Sequence, residues 1–276
     1  MMGAIRIEDM GVLKGEVALY GGPYSNAHAT RSFLTAATVS PSAREEDAPA
    51  TAWPMARIRL KHVALIRARG GVVVAGNCER QLATGAGDCG CGFAPGTACD
   101  RLSAAWYAHA DRALGPNCAA GWRGCPMSRH SAMQAAASPV VHGGFTDISR
   151  FLWPSSSEAE FAGEIAALQE CLGPLDIVVA GHCGITFQRQ IGGVLWLNAG
   201  AIGLPPHDGR PETRFTVLAA DGARVHRLHY DHAAAAGAMA AVETVPGLRP
   251  GAGNRPMAQR GRVARGHAPR DLRPVA

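Results

Sequence analysis

Asn77, His142 and His182 each stand where a short apolar run meets glycine, in GNCE at 76–79, VHGG at 141–144 and GHCG at 181–184, and a fourth run ends in GGPYSN at 21–26. Amides and neutral imidazoles can ligate divalent cations or hydrogen-bond phosphate, and flanking glycines let the backbone crowd a bound ion. Ligands of open α/β sheets gather at the carboxyl ends of the strands. A single histidine in such a place is better explained as a core residue bonded to backbone. The three residues together point to one shared metal or phosphate site. Cys78 reads as a small buried hydrophobe or as a thiolate ligand. Cys89 and Cys91, with Cys78 and Cys99, offer a second donor set, although C-x-C followed by C-x7-C is no standard zinc spacing and reduced loop thiols are the plain alternative. GAGDCGCG lacks the GK[ST] ending of a phosphate loop. Among Arg80, Arg189, Arg210 and Arg214, only Arg189 in a hairpin is a candidate for steering an anion; Trp153 and Trp196 read as packing residues.

These residues need rigid supports. GEVALY at 15–20 predicts a strand running into the Gly21-Gly22-Pro23 turn, with a helix following from Asn26 to Ala37. HVALIRARGG predicts a helix, and VVVAG at 72–76 a buried strand leading to NCER. DRLSAAWYAHADRAL predicts an amphipathic helix capped by Asp100. In the second half PVVHGG reads as a strand, SSEAEFAGEIAALQECLG as a helix and DIVVAG as a strand. TFQRQIGGVLWLNAG reads as a hairpin, and RFTVLAADGARVHRLHY at 214–230 as another. Strand and helix alternation followed by hairpins predicts an α/β class with sheets between helical layers.

Length and charge bound the reading. The 276 residues hold 47% hydrophobic residues, enough for one large domain, and the formal net charge of +5 is an arginine excess. No apolar stretch reaches the roughly 18–20 residues of a membrane span, and the first twenty residues lack a secretory pattern, so the expectation is a cytoplasmic protein with no membrane partner. The eight cysteines are then expected to be reduced. Residues 38–61 and 115–137 lack a period and read as irregular inserts in a domain spanning 1–237; 238–276 reads as a disordered arginine-rich tail. Without aromatic interleaving, that tail is a poor nucleic-acid binder. All three segments share an Ala, Arg, Pro and Ser bias, the pattern that GC-rich DNA yields when translated out of register.

The order of these motifs resembles the calcineurin-like metallophosphoesterase family. DIVVAGHCGITFQRQIGGVLWLNAGAIGLPP is similar to its closing strand, GHxH, hairpin and NxGSxG turn; VVHGG is similar to its histidine-bearing strand end; GNCE stands where the family has GNH[DE]. The resemblance covers 15–37, 62–112 and 138–232. It implies a layered α/β/β/α sandwich of mixed sheets and phosphoric ester hydrolysis between two divalent metals. One metal's private ligands fall on Gly22, Tyr24 and Gly184, which cannot serve. The other's fall on Asn77, His142 and His182, all present. The resemblance therefore implies one divalent metal (Mn, Fe or Zn) and a phosphoester or phosphate-bearing small molecule as partner. The family's bridging Asp belongs to a GD motif that does not occur between Ala37 and Val63, so the metal is expected to be weakly held and activity low. No catalytic side chain is assigned, since Cys78 replaces the family's leaving-group histidine. A non-catalytic phosphate- or nucleotide-binding protein on the same fold is the alternative, and a zinc-stabilised interaction module built on the cysteines a third.

Overall fold

The computed structural model describes residues 7–13, 15–24, 26–39, 65, 73–97, 99–101, 103–105, 107–108, 110–112, 128–133, 136–206 and 208–240. The strands are β1 (Ile7–Leu13), β2 (Val17–Leu19), β3 (Ser128–Met133), β4 (Ala136–Ala137), β5 (Val140–Val141), β6 (Ile177–Ala180), β7 (Thr186–Ile191), β8 (Val194–Ala199), β9 (Thr213–Ala219) and β10 (Gly222–Leu228). The helices described without a break are α1 (Ala27–Val39), α2 (Asn77–Thr84), α3 (Glu158–Leu172) and α4 (His232–Ala240), and the described residues 99–101, 103–105, 107–108 and 110–112 are helical too, where a helix capped by Asp100 is expected. One seven-stranded sheet runs β1-β3-β5-β6-β8-β7, with β4 paired to β3; a three-stranded sheet runs β10-β9-β2. Strands β5, β6 and β8 are mutually parallel in the centre, and β7 closes one edge antiparallel.

Period-2 alternation splits each central strand between two cores. Val178 and Ala180 of β6 and Val194 and Trp196 of β8 pack with Phe161, Ile165 and Leu168 of α3. The intervening Val179, Leu197 and Ala199 face Val17, Leu19 and Leu218 of the second sheet. That sheet's opposite face, through Tyr20 and Phe215, packs on Ala29, Phe33 and Ala37 of α1. The result is the expected α/β/β/α sandwich of mixed sheets.

Helix α3 begins with a reciprocal cap, in which Ser157 N–H donates to Glu160 Oε2 at 2.8 Å and Glu160 N–H points back at Ser157 Oγ at 3.4 Å. Ser157→Ala is expected to lower stability by about 1 kcal/mol, read as a shift of the urea midpoint at unchanged slope. Asn26 caps α1, accepting from Ala29 N–H at 3.0 Å, while its amide donates to the Gly203 carbonyl at 3.1 Å.

Several elements differ from the sequence reading. The segment 115–137, read as irregular, contains β3 and β4 in its described part. Strand β1 was not foreseen: IEDMGVL mixes acids and glycine because it is a sheet edge, where polar residues are tolerated. Of 73–76, the described part of this stretch, Val73 makes a bridge, and Val74 and Ala75 run buried into α2. Helix α4 extends through 238–240, the start of the supposed tail. The helix read over 62–71 (apart from residue 65), most of 38–61, and 241–276 lie outside the described residues. Among the described residues no helix is long and apolar enough to cross a membrane.

Candidate metal centre

Three polypeptide turns leave the same end of the central sheet and converge. His142 follows β5 directly, His182 follows β6 after Gly181, and Asn77 is the first residue of α2 after the extended 74–76 segment. His142 Nε2 lies 2.9 Å from Asn77 Oδ1 and 2.9 Å from His182 Nδ1. The structure thus brings together all three residues proposed from the sequence, and each is buried.

The orientation of the Asn77 amide is settled by its other side. Its Nδ2 donates to the Cys89 carbonyl at 2.6 Å and to Cys91 Sγ at 3.0 Å, so Oδ1 must face His142. Burial holds the His142 imidazole well below its usual range, with the neighbouring His182 adding to the effect. His182 is pushed down to about 4, again chiefly by burial and only partly offset by the Ser149 backbone and Asp147. Both rings are therefore neutral near pH 7, the ligating form. Three lone-pair atoms then share at most one ring proton, carried by His142 Nε2 or by His182 Nδ1 according to tautomer, an arrangement a cation satisfies and a single proton does not. Bonds of about 2.0–2.2 Å at right angles would place ligand atoms about 3 Å apart, matching the observed spacing.

The support is built from backbone. His182 sits at φ +63°, unusual for a residue with a side chain, and is held there by its neighbours. Gly181 N–H donates to the His142 carbonyl at 2.7 Å, and Asn198 of β8 donates to the Gly181 carbonyl at 2.6 Å. Gly76 allows the closest approach: a β-carbon there would lie 2.8 Å from both Glu79 Oε2 and His142 Cε1. Phe151 covers the ring of His182 with centroids 4.1 Å apart, and Trp153 stacks on Phe151 at 5.4 Å. Trp153 therefore packs behind the ring that covers His182 and Trp196 packs in the core, both as expected.

Gly22, Tyr24 and Gly184 explain each other. A β-carbon on Gly22, at φ +38°, would meet the Tyr24 ring at 2.6 Å, and one on Gly184 would lie 3.7 Å from the Tyr24 hydroxyl. The buried tyrosine fills the space between them, and burial, with the sulfurs of Cys91, Cys78 and Cys183, raises its phenol far above the ordinary value. Beside it, Cys78, Cys89 and Cys91 are all buried, with sulfurs within 4.8 Å of one another, whereas Cys99 lies outside this group. Arg189, the hairpin candidate for steering an anion, is engaged elsewhere: it donates to the Ser156 carbonyl at 2.5 Å and lies over the Phe161 ring at 4.7 Å. Arg214 is paired with Asp208.

Sequence reasoning missed Glu164 and the positioning role of Asn198. Glu164 is fully buried and accepts from Phe145 N–H at 2.6 Å, Thr146 N–H at 2.8 Å, Thr146 Oγ1 at 2.6 Å and Arg150 Nη1 at 2.8 Å. It ties down the loop that leaves His142. The signal was present: Phe161, Glu164, Ile165 and Leu168 share one helical face, and a carboxylate on an apolar stripe demands partners.

The layered sandwich that places these three residues at the ends of β5 and β6 and at the entry to α2 is a fold that solved structures share. The hypothetical protein PH1004 from Pyrococcus horikoshii OT3 is 15% identical over 83% of this chain and 93% of its own, with a TM-score of 0.61. A novel archaeal phosphodiesterase is 10% identical over 77% of this chain and 99% of its own, at a TM-score of 0.39. Wild-type Vps29 from Entamoeba histolytica, complexed with Zn2+, is 15% identical over 77% and 97%, also at 0.39. At such identities the likeness to PH1004 is one of fold alone, and the other two overlaps are too loose to bear on this chain. No protein-family model matches the sequence, and no curated protein matches it.

Proposed function

We propose that the chain is a metal-dependent phosphoester hydrolase acting on a phosphate-bearing small molecule, with one divalent cation (Mn, Fe or Zn) held by Asn77 Oδ1, His142 Nε2 and His182 Nδ1. The observation that carries this reading is the 2.9 Å contact of His142 Nε2 with both partners, three electron-pair donors with at most one proton to share. A bound cation would supply Lewis-acid polarisation of a phosphoryl oxygen. The chain's own residues supply the rest. Asn77 is locked in its ligating orientation by Cys89 and Cys91, Asn198 and Gly181 fix the His182 turn, and Phe151 shields the imidazole from water.

Tyr24 favours a second reading. By occupying the space between Gly22 and Gly184 it takes up the place of the second cation of a two-metal phosphoesterase centre, which suits a protein that binds phosphate or nucleotide without turning it over. Hydrolysis of a generic phosphodiester with added Mn2+ separates the two. Hydrolysis is expected to depend on Mn2+ in the wild type and to fall to background in His182→Ala. Flat traces for both, together with thermal stabilisation by inorganic phosphate in the absence of metal, would establish binding alone.

A further inference from the structure

The cysteines next to this site are arranged for a different ion. Cys78 comes from the first turn of α2, Cys89 and Cys91 from the loop that follows it, and their sulfurs point at one another, all three within 4.8 Å. All three are buried and unbridged. Three thiolates on a tetrahedral zinc, with bonds of about 2.3 Å, stand about 3.8 Å apart, inside the observed limit.

The surroundings treat these sulfurs as acceptors. Asn77 Nδ2 donates to Cys91 Sγ at 3.0 Å and lies 3.6 Å from Cys78 Sγ. Such donors to ligand atoms are what orient a metal's first shell. The loop 85–97 has no helix or strand of its own. It is held by the Asn77 bond to the Cys89 carbonyl, an Asp88 turn onto Gly90 N–H at 2.7 Å, and the Tyr107 hydroxyl on the Ala86 carbonyl at 2.8 Å. A segment so poor in core contacts gains most from a cross-link through its centre.

We propose that Cys78, Cys89 and Cys91 bind one thiophilic divalent cation of the zinc type as thiolates, in a centre separated from the Asn77–His142–His182 site by the Asn77 amide alone. Binding breaks three S–H bonds, releases three protons to solvent and forms three metal–sulfur bonds. The resulting unit carries one net negative charge and keeps its fourth position for an outside donor, as in reactive rather than closed zinc sites. Sulfur selects this ion, whereas the oxygen and nitrogen donors across the amide suit Mn2+. The assignment does not rest on the phosphoesterase reading.

The full chain, purified reduced and stripped of metal, is titrated with Zn2+, and with Co2+ as a spectroscopic probe. One equivalent of Co2+ is expected to give sulfur-to-metal charge-transfer absorption. Cys89→Ser and Cys91→Ser should each weaken zinc affinity by at least the roughly 10–100-fold typical of losing an outer-shell partner. His182→Ala should keep both the absorption and the zinc, so failure of the histidine site and failure of this one are read separately. Should the serine variants not fold, alkylation of the wild type decides. Zn2+ is expected to protect residues 78, 89 and 91, to leave the exposed Cys171 reactive, and to lose its effect on chelation. Alkylation of the three at equal rates with and without Zn2+, or an unchanged cobalt spectrum in folded Cys89→Ser, would overturn the assignment.

Discussion

Glu164→Ala is expected to lower stability by about 1.5–3 kcal/mol, the range for hydrogen bonds to a charged group, since the carboxylate is buried while its partner Arg150 is 43% exposed. The carboxylate is wholly inaccessible and is met by two backbone N–H groups, the Thr146 hydroxyl and the Arg150 guanidinium. Its removal leaves the Phe145 and Thr146 N–H groups without their acceptor, while the exposed Thr146 hydroxyl and Arg150 guanidinium can turn to water. Space is equally constrained, since a β-carbon on Gly144 would already lie 2.9 Å from the carboxyl group. Glu164→Gln keeps the shape but replaces one acceptor by a donor, so it should fall between alanine and wild type. Urea unfolding monitored by circular dichroism measures both. A midpoint for the alanine variant within experimental scatter of wild type would show that the loop after His142 is held by something else.

The second large effect concerns the cation. His182→Ala is expected to weaken Mn2+ binding on the order of 100-fold or more, since loss of a direct ligand should exceed the 10–100-fold cost of losing an outer-shell partner. Mn2+ is the ion of choice because thiolates compete poorly for it. In the wild type, Mn2+ at about 100 times its Kd should stabilise the fold by about 2.7 kcal/mol, and a chelator should remove that gain. The variant should show neither. His182 is a better choice than His142, whose ring is more deeply enclosed and would leave a larger void.

The same contrast between local and distant information governs what could be read from the sequence. The second half was legible because DIVVAG, VLWLN and RFTVL are apolar runs bounded by glycine turns, and these become β6, β8 and β9. Asn77, His142 and His182 were legible as a group because each follows such a run, so their convergence follows from the parallel order of β5 and β6 and the entry into α2. Strands β1 and β3 were not legible, because edge pairing is set by partners far along the chain rather than by local pattern. Tyr24 is instructive in another way. The sequence marks it as a lost ligand, but only the packing reveals that its ring needs Gly22 bare and reaches the space beside Gly184. The sulfur cluster was hidden by its irregular spacing: Cys78 joins Cys89 and Cys91 through the fold of a glycine-rich loop, while Cys99, nearer to Cys91 in sequence, stays out.

The most direct test is anomalous diffraction at the manganese edge from crystals soaked in Mn2+. One strong peak is expected within bonding distance, about 2.2 Å, of Asn77 Oδ1, His142 Nε2 and His182 Nδ1 at once. A structure refined with those three atoms still in mutual contact and no peak between them, or with the peak elsewhere in the chain, would contradict the account.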